Sequence, residues 1–289
     1  MSRSPRKHFL DTSVARPMLL GSRPYKEYFD SYFGSDSLYI STYVKMEFRR
    51  SFLLNLINFF FVLDMPTTRA IDDAFALWSE RFKTSELKAV IQLASPLFAT
   101  QHLDPSNPRD KPTALLALGR LIKRFDFEMA GFLDTGVNSP RCARAGISLD
   151  INLGNLRTDL RRFVEEFTDV ETCRSKCRID TFLLKRHRGR VQDYARLGNA
   201  LPNNSESKGF KRIAENLADV LQGGPEACSC KRCERIGDAV IALDTPRNLN
   251  LEHTDASFNQ LCDAIGQPHQ QHPSHIRVVR RASEGTPKS

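Results

Sequence analysis

The stretch His8-Phe9-Leu10-Asp11-Thr12-Ser13-Val14 decides how this chain reads, because an apolar run short enough to be a buried strand closes on a carboxylate and two hydroxyls. Three further segments pair an apolar run with an acid. In Ile40-Ser41-Thr42-Tyr43-Val44-Lys45-Met46-Glu47 a strand opening at Leu38 gives way to a long helical pattern, with Ser41 or Thr42 as N-cap. Gly237-Asp238-Ala239-Val240-Ile241-Ala242-Leu243 reads as a helix with its acid near the start, and Leu249-Asn250-Leu251-Glu252-His253-Thr254-Asp255 alternates as a strand that ends on one. A fold of strands followed by helices would aim Asp11, Glu47, Asp238 and Asp255 into one cleft, so a divalent-metal site is the chemistry to expect. The helix after Glu47 buries Phe48, Phe52, Leu56, Phe59 and Leu63 along one stripe, carries a polar line of Glu47, Ser51, Asn55 and Asn58 beside it, and stops at Pro66.

The order and spacing of these motifs resemble the PIN-domain nuclease superfamily. The matching pieces are Asp11-Thr12-Ser13, the step from Thr42 to Glu47, the run Gly237 to Ala242, and Thr254-Asp255-Ala256-Ser257-Phe258. The resemblance implies an α/β fold with a Rossmann-like parallel sheet between helices. It also implies hydrolysis of phosphodiester bonds, in RNA rather than DNA, by a metal-activated water. Asp11, Glu47, Asp238 and Asp255 would hold Mg²⁺ or Mn²⁺, with Thr12 and Thr254 as supporting hydroxyls. Hard cations of this kind favour oxygen ligands and borrow others from the substrate phosphate. Many members are toxins held inactive by an antitoxin-like protein, which makes an inhibitory partner an expectation here. A catalytically silent PIN-like module that binds nucleic acid or protein is the alternative reading.

The departure from the family lies between Glu47 and Asp238, an interval far longer than a compact PIN domain needs. Its text is mainly helical, with three-to-four periodicity over Arg69 to Phe82, Ser85 to Phe98, Thr113 to Leu133, Leu156 to Phe167, Ile179 to Leu197 and Phe210 to Leu221. Ile147-Ser148-Leu149-Asp150-Ile151-Asn152-Leu153 alternates like an added strand. The resulting organisation is residues 1–66 as the first half of the core, 67–222 as a helical insertion, and 223–289 as the second half with a basic tail. In the last part, Gln267 to Ser274 reads as a polar loop and Ile276 to Val279 as an edge strand.

With 42 Lys+Arg against 34 Asp+Glu the formal charge is +8, the sign a phosphate-backbone partner calls for. Lys231 and Arg232, close to Asp238, are the expected phosphate contacts; Lys185-Arg186-His187-Arg188-Gly189-Arg190 reads as a solvated helix end. No run is apolar and long enough to span a bilayer, and the basic N-terminus lacks the apolar centre of a secretion signal, so a cytoplasmic protein without a membrane partner is expected. The oligomeric state is open, a homo-oligomer included. Of the seven cysteines, Cys173, Cys177, Cys230 and Cys233 have the paired spacing of a structural zinc site, with Cys228 as an alternative ligand. Cys142 and Cys262 read as ordinary core residues.

Overall fold

The computed structural model describes residues 6–20, 23–81, 84–134, 142–201, 208–224 and 230–274. The chain opens with β1 (Lys7–Leu10), α1 (Thr12–Leu20), α2 (Arg23–Phe33), β2 (Ser37–Ile40) and α3 (Thr42–Phe48). A π-helical turn over Arg49–Leu53 leads into α4 (Leu54–Asp64), then α5 (Ile71–Arg81), α6 (Thr84–Thr100), α7 (Lys111–Ala130) and β3 (Leu133–Asp134). Next come α8 (Leu156–Thr168), α9 (Val170–Lys176), α10 (Ile179–Thr181), a second π-helical turn (Phe182–Arg186), α11 (Arg188–Ala200) and α12 (Lys208–Gly223). The last elements are α13 (Cys230–Arg235), α14 (Gly237–Asp244), β4 (Asn250–His253), α15 (Ser257–Ile265) and β5 (His269–Gln271).

Five strands form one sheet in the order β3-β2-β1-β4-β5, and each neighbouring pair is parallel. The two ends of the sequence therefore meet at the centre: Phe9 pairs with Leu251 and Leu10 with Glu252. Phe9, Leu10 and Leu251 are fully buried, as parallel strands covered on both faces require. The chain forms two compact units, the first of residues 1–46, 132–146 and 169–289, the second of 47–131 and 147–168. This division differs from that expected from sequence at both ends of the helical segment. α9 to α12 belong with the sheet, because α11 packs on α12 and α15, and α13 on α9 and α12. At the α11–α12 crossing a Cβ on Gly198 would lie 2.2 Å from Ala214 Cβ, so only glycine permits the approach. In the second unit α4 supplies the core against α5, α6, α7 and α8, and the buried Arg49 guanidinium grips Asp126 through two hydrogen bonds of 2.7 and 2.9 Å.

Three local expectations change. Ile147 to Leu153 is not a strand; it finds no neighbouring strand, and Asn152 turns the chain into a 3-10 helix by accepting the Gly154 N–H. Residues 269–271 of the expected polar loop are β5, whose backbone pairs with β4 whatever its side chains. Thr12, Ser13 and Val14 leave the strand and begin α1. The expected edge strand over Ile276 to Val279 lies outside the described residues.

The face of the sheet under α2 is polar. Glu252, wholly buried on β4, accepts from His8 Nδ1 and His272 Nε2 at 2.7 Å each, while His8 Nε2 reaches Asp36 at 3.0 Å and Tyr28 Oη meets His272 Nδ1 at 3.0 Å. Tyr28, Phe29, Tyr32 and Phe33 of α2 surround the His272 ring. Hydrogen bonding to Glu252 outweighs burial and raises the His8 pKa above 6.5; burial alone would lift Glu252, but the bonds from His272 and His8 hold it below 4.5. Stability from His8 is therefore complete below pH 6.5 and lost as pH rises through its raised value, and stability from Glu252 is lost as pH falls through its lowered one. Urea midpoints should thus fall between about pH 5.5 and about pH 8.5, and fall less in His8→Gln, whose side chain no longer titrates. Equal falls in both proteins would remove His8 from the account.

Candidate active site at the carboxyl edge of the sheet

Parallel strands put all their carboxyl ends on one edge. From β1 the chain runs outward to β2 and β3, then returns to the other side of β1 as β4, so the strand order reverses between β1 and β4. Such a reversal opens a crevice outside the strand ends, the usual ligand position of open α/β sheets. Asp11 follows β1 at this point, and Thr254 and Asp255 follow β4.

Asp11 is 4% exposed and is the N-cap of α1: its Oδ2 accepts the Ser13 N–H at 2.8 Å, and its carbonyl accepts from Ala15 at 2.9 Å. Burial raises its pKa; bonds from Ser13 and the Thr12 backbone oppose that rise, and the charge of Asp255 adds to it. The two carboxylates thus feel one another. Arg16, farther along α1, lies within electrostatic reach of Asp11. Ser13, not singled out by the sequence reading, joins the strand ends: its Oγ accepts the Thr254 N–H at 3.0 Å. Its signal was its place in Asp11-Thr12-Ser13, at the N2 position of a helix that had been read as strand.

Asp255 is exposed, and its Oδ1 accepts the Ser257 N–H at 2.9 Å at the entry to α15. Asp238 lies in the first turn of α14, where the helix dipole favours a carboxylate. Each of the other seven residues of α14 is buried, and only Asp238 is partly open. Glu47 lies on α3, the helix that leaves β2 and is capped by Ser41, whose Oγ accepts the Val44 N–H at 3.1 Å. Glu47 opens the second unit, where its carboxylate stands 4.0 Å from Arg50. Among the described residues no group of three His, Cys, Asp or Glu side chains is already gathered to hold a metal ion. The donor chemistry nevertheless fits Mg²⁺ or Mn²⁺: Asp11 and Asp255 would offer carboxylate oxygens, and the charge of Asp255 disfavours that of Asp11. His253 is core, fully buried with its ring stacked on Phe258 and His269, and burial pushes it down to about 4, so it is neutral at physiological pH.

The cysteines meet elsewhere in the same unit. Cys173 and Cys177 are one turn apart on α9, which packs on α13, where Cys230 and Cys233 are also one turn apart. The Cys233 thiol bonds to Cys177, an interaction that holds the Cys177 pKa down at about 7. Cys142, read from sequence as an ordinary core residue, lies within electrostatic reach of Cys177; burial pushes its own thiol up to about 11. Cys228 lies outside the described residues. Tyr43 Oη, on α3, donates to the Cys233 carbonyl at 2.6 Å, so α13 is tied to α3 on one side and runs into α14 on the other. Arg232 pairs with Asp219 at 3.0 Å, whereas Lys231 is exposed. No helix of the described residues is long and apolar enough to cross a membrane.

Comparison with family models, with curated proteins and with solved structures finds no match to this chain.

Proposed function

We propose that this chain is a PIN-like, divalent-metal-dependent nuclease that hydrolyses phosphodiester bonds in RNA. The observation that carries the reading is the pair Asp11 and Asp255 at the sheet's reversal point, one carboxylate buried and each within reach of the other's charge. Asp238, the single part-exposed residue of α14, is the third ligand; Glu47, the fourth acid of the family pattern, lies in the second unit. When bound, Mg²⁺ or Mn²⁺ supplies a nucleophilic water at neutral pH and neutralises charge on the leaving oxygen. The protein's own part is to hold the acids. The N–H and Oγ of Ser13 fix Asp11, the Thr254 N–H ties β4 to that cap, and the first turn of α14 presents Asp238. Lys231 is exposed on the helix that precedes α14 and fits a phosphate contact, while Arg232 would have to leave Asp219 to make one. A structural zinc held by Cys173, Cys177, Cys230 and Cys233 completes the reading, with α9 and α13 as its two arms.

That no three acids are already gathered among the described residues favours one other reading, a PIN-like module that binds nucleic acid without turnover. One assay separates the two. Purified protein incubated with structured and single-stranded RNAs should cleave with Mn²⁺ and stop with EDTA. Binding without cleavage under any divalent cation would establish the module instead.

A further inference from the structure

The most basic short run of the chain, Lys185 to Arg190, has no part in the nuclease reading. The structure wraps it around a cavity of about 570 Å³, within the range of small-ligand sites. Arg186 ends the second π-helical turn, His187 joins it to α11, and Arg190 sits in the first turn of α11. Opposite them stand Asp244, at the end of α14, and Arg247, in the loop that leads to β4. Three guanidinium groups therefore line the cavity against one carboxylate. Neither Arg190 nor Arg247 is paired with a carboxylate among the described residues, and burial first, then the nearby Arg247, disfavours the charge on Arg190. His187 adds no charge at neutral pH, since burial and the neighbouring Arg190 and Arg186 push it down to about 4.

Gathering like charges in a partly enclosed space costs stability unless an anion neutralises them. The backbone adds to the same potential. α11 begins at the cavity with its N-terminal, positive dipole end, and its N-cap, His187, makes no side-chain capping bond. Guanidinium forks at a helix N-terminus match phosphate oxygens.

We propose that this cavity binds the phosphate groups of a small polyphosphate ligand, with Arg186, Arg190 and Arg247 as its anion-binding residues. Its volume, in the range of small-ligand sites, favours a small molecule over a polymer. The site is separate from the carboxylates: Asp238 and Asp244 lie at opposite ends of α14, about 9 Å apart along its axis. The proposal does not rest on the nuclease reading, and its test uses no cleavage.

Calorimetric titration of the full chain with inorganic pyrophosphate, with ATP and with a short RNA lacking terminal phosphates decides it. Pyrophosphate and ATP should bind saturably at one site, and Arg190→Gln/Arg247→Gln should weaken both by about 10- to 100-fold, the effect of losing charge-assisted bonds. Pyrophosphate should also raise the melting temperature of the wild type and not of the variant. Without ligand, the variant should melt no lower than the wild type, because the repulsion between the two arginines is gone. Should the double variant fold poorly, Arg247→Gln alone, in an exposed loop, gives the same comparison. Absence of saturable pyrophosphate and ATP binding, or equal affinity in wild type and variant, would overturn the proposal. So would binding of the RNA alone that is lost in the variant, which would make the cavity part of a polymer track.

Discussion

Asp11→Asn should leave the protein folded and lower its Mn²⁺-dependent RNA cleavage by about 100-fold or more, since bound metal contributes several kcal/mol of charge stabilisation and each 1.4 kcal/mol is a factor of ten in rate. The stability side carries the opposite sign. The folded-state pKa of Asp11 is raised above 3.8, chiefly by burial, so its ionisation costs stability as the pH rises from the unfolded value through the raised folded one. Asparagine keeps an oxygen for the Ser13 N–H and removes the charge, so the metal-free variant should melt at or above the wild-type temperature. Added Mn²⁺ should then stabilise the wild type and do much less for the variant. Asp238→Asn should reproduce the loss of cleavage. Wild-type cleavage by both variants would dispose of the carboxylate site. Lost cleavage with an unchanged response to Mn²⁺ would instead mean that Asp11 acts through the α1 cap.

The second large effect belongs to the cysteines. Protein purified without added zinc should contain about one zinc per chain, and Cys233→Ser should remove it. Because binding free energy at such a site is folding free energy, the melting temperature should fall by about 6 °C or more, corresponding to a loss of about 3 kcal/mol. The position of Cys233 makes a further consequence testable. Its carbonyl accepts from Tyr43 on α3, and α13 leads directly into the helix that carries Asp238. Loss of zinc should therefore lower cleavage at temperatures where the variant is still folded, whereas Lys231→Gln on the same helix should keep zinc and melting unchanged. Cys177→Ser provides the second variant if Cys233→Ser does not accumulate. A zinc-free protein whose Cys233→Ser variant melts like wild type would leave α9 and α13 held by packing alone.

What the sequence determined by itself was local. An apolar run that ends in Asp, a serine ahead of a helical stripe, and an alternating run that ends in Thr-Asp specify β1, the Ser41 cap and β4, because short-range sterics and capping chemistry act within a few residues. They also place Asp11, Asp238 and Asp255 at the starts and ends of elements. The tertiary structure alone decided what depends on neighbours remote in sequence. β5 has the composition of a loop and is a strand only because β4 offers it a ladder, whereas Ile147 to Leu153 has the alternation of a strand and no partner to pair with. Ser13 matters because Thr254 arrives beside it from the far end of the chain, and Glu252 is held in the core by two histidines, one near each terminus of the described chain. The grouping of α9 to α12 with the sheet, and of the helix after Glu47 with the second unit, follows from which apolar faces meet, and periodicity reports that a face exists without saying what covers it. For the same reason Lys185 to Arg190 looked like a solvated helix end. Arg186 and Arg190 line a cavity only because the loop after α14 brings Arg247 to face them.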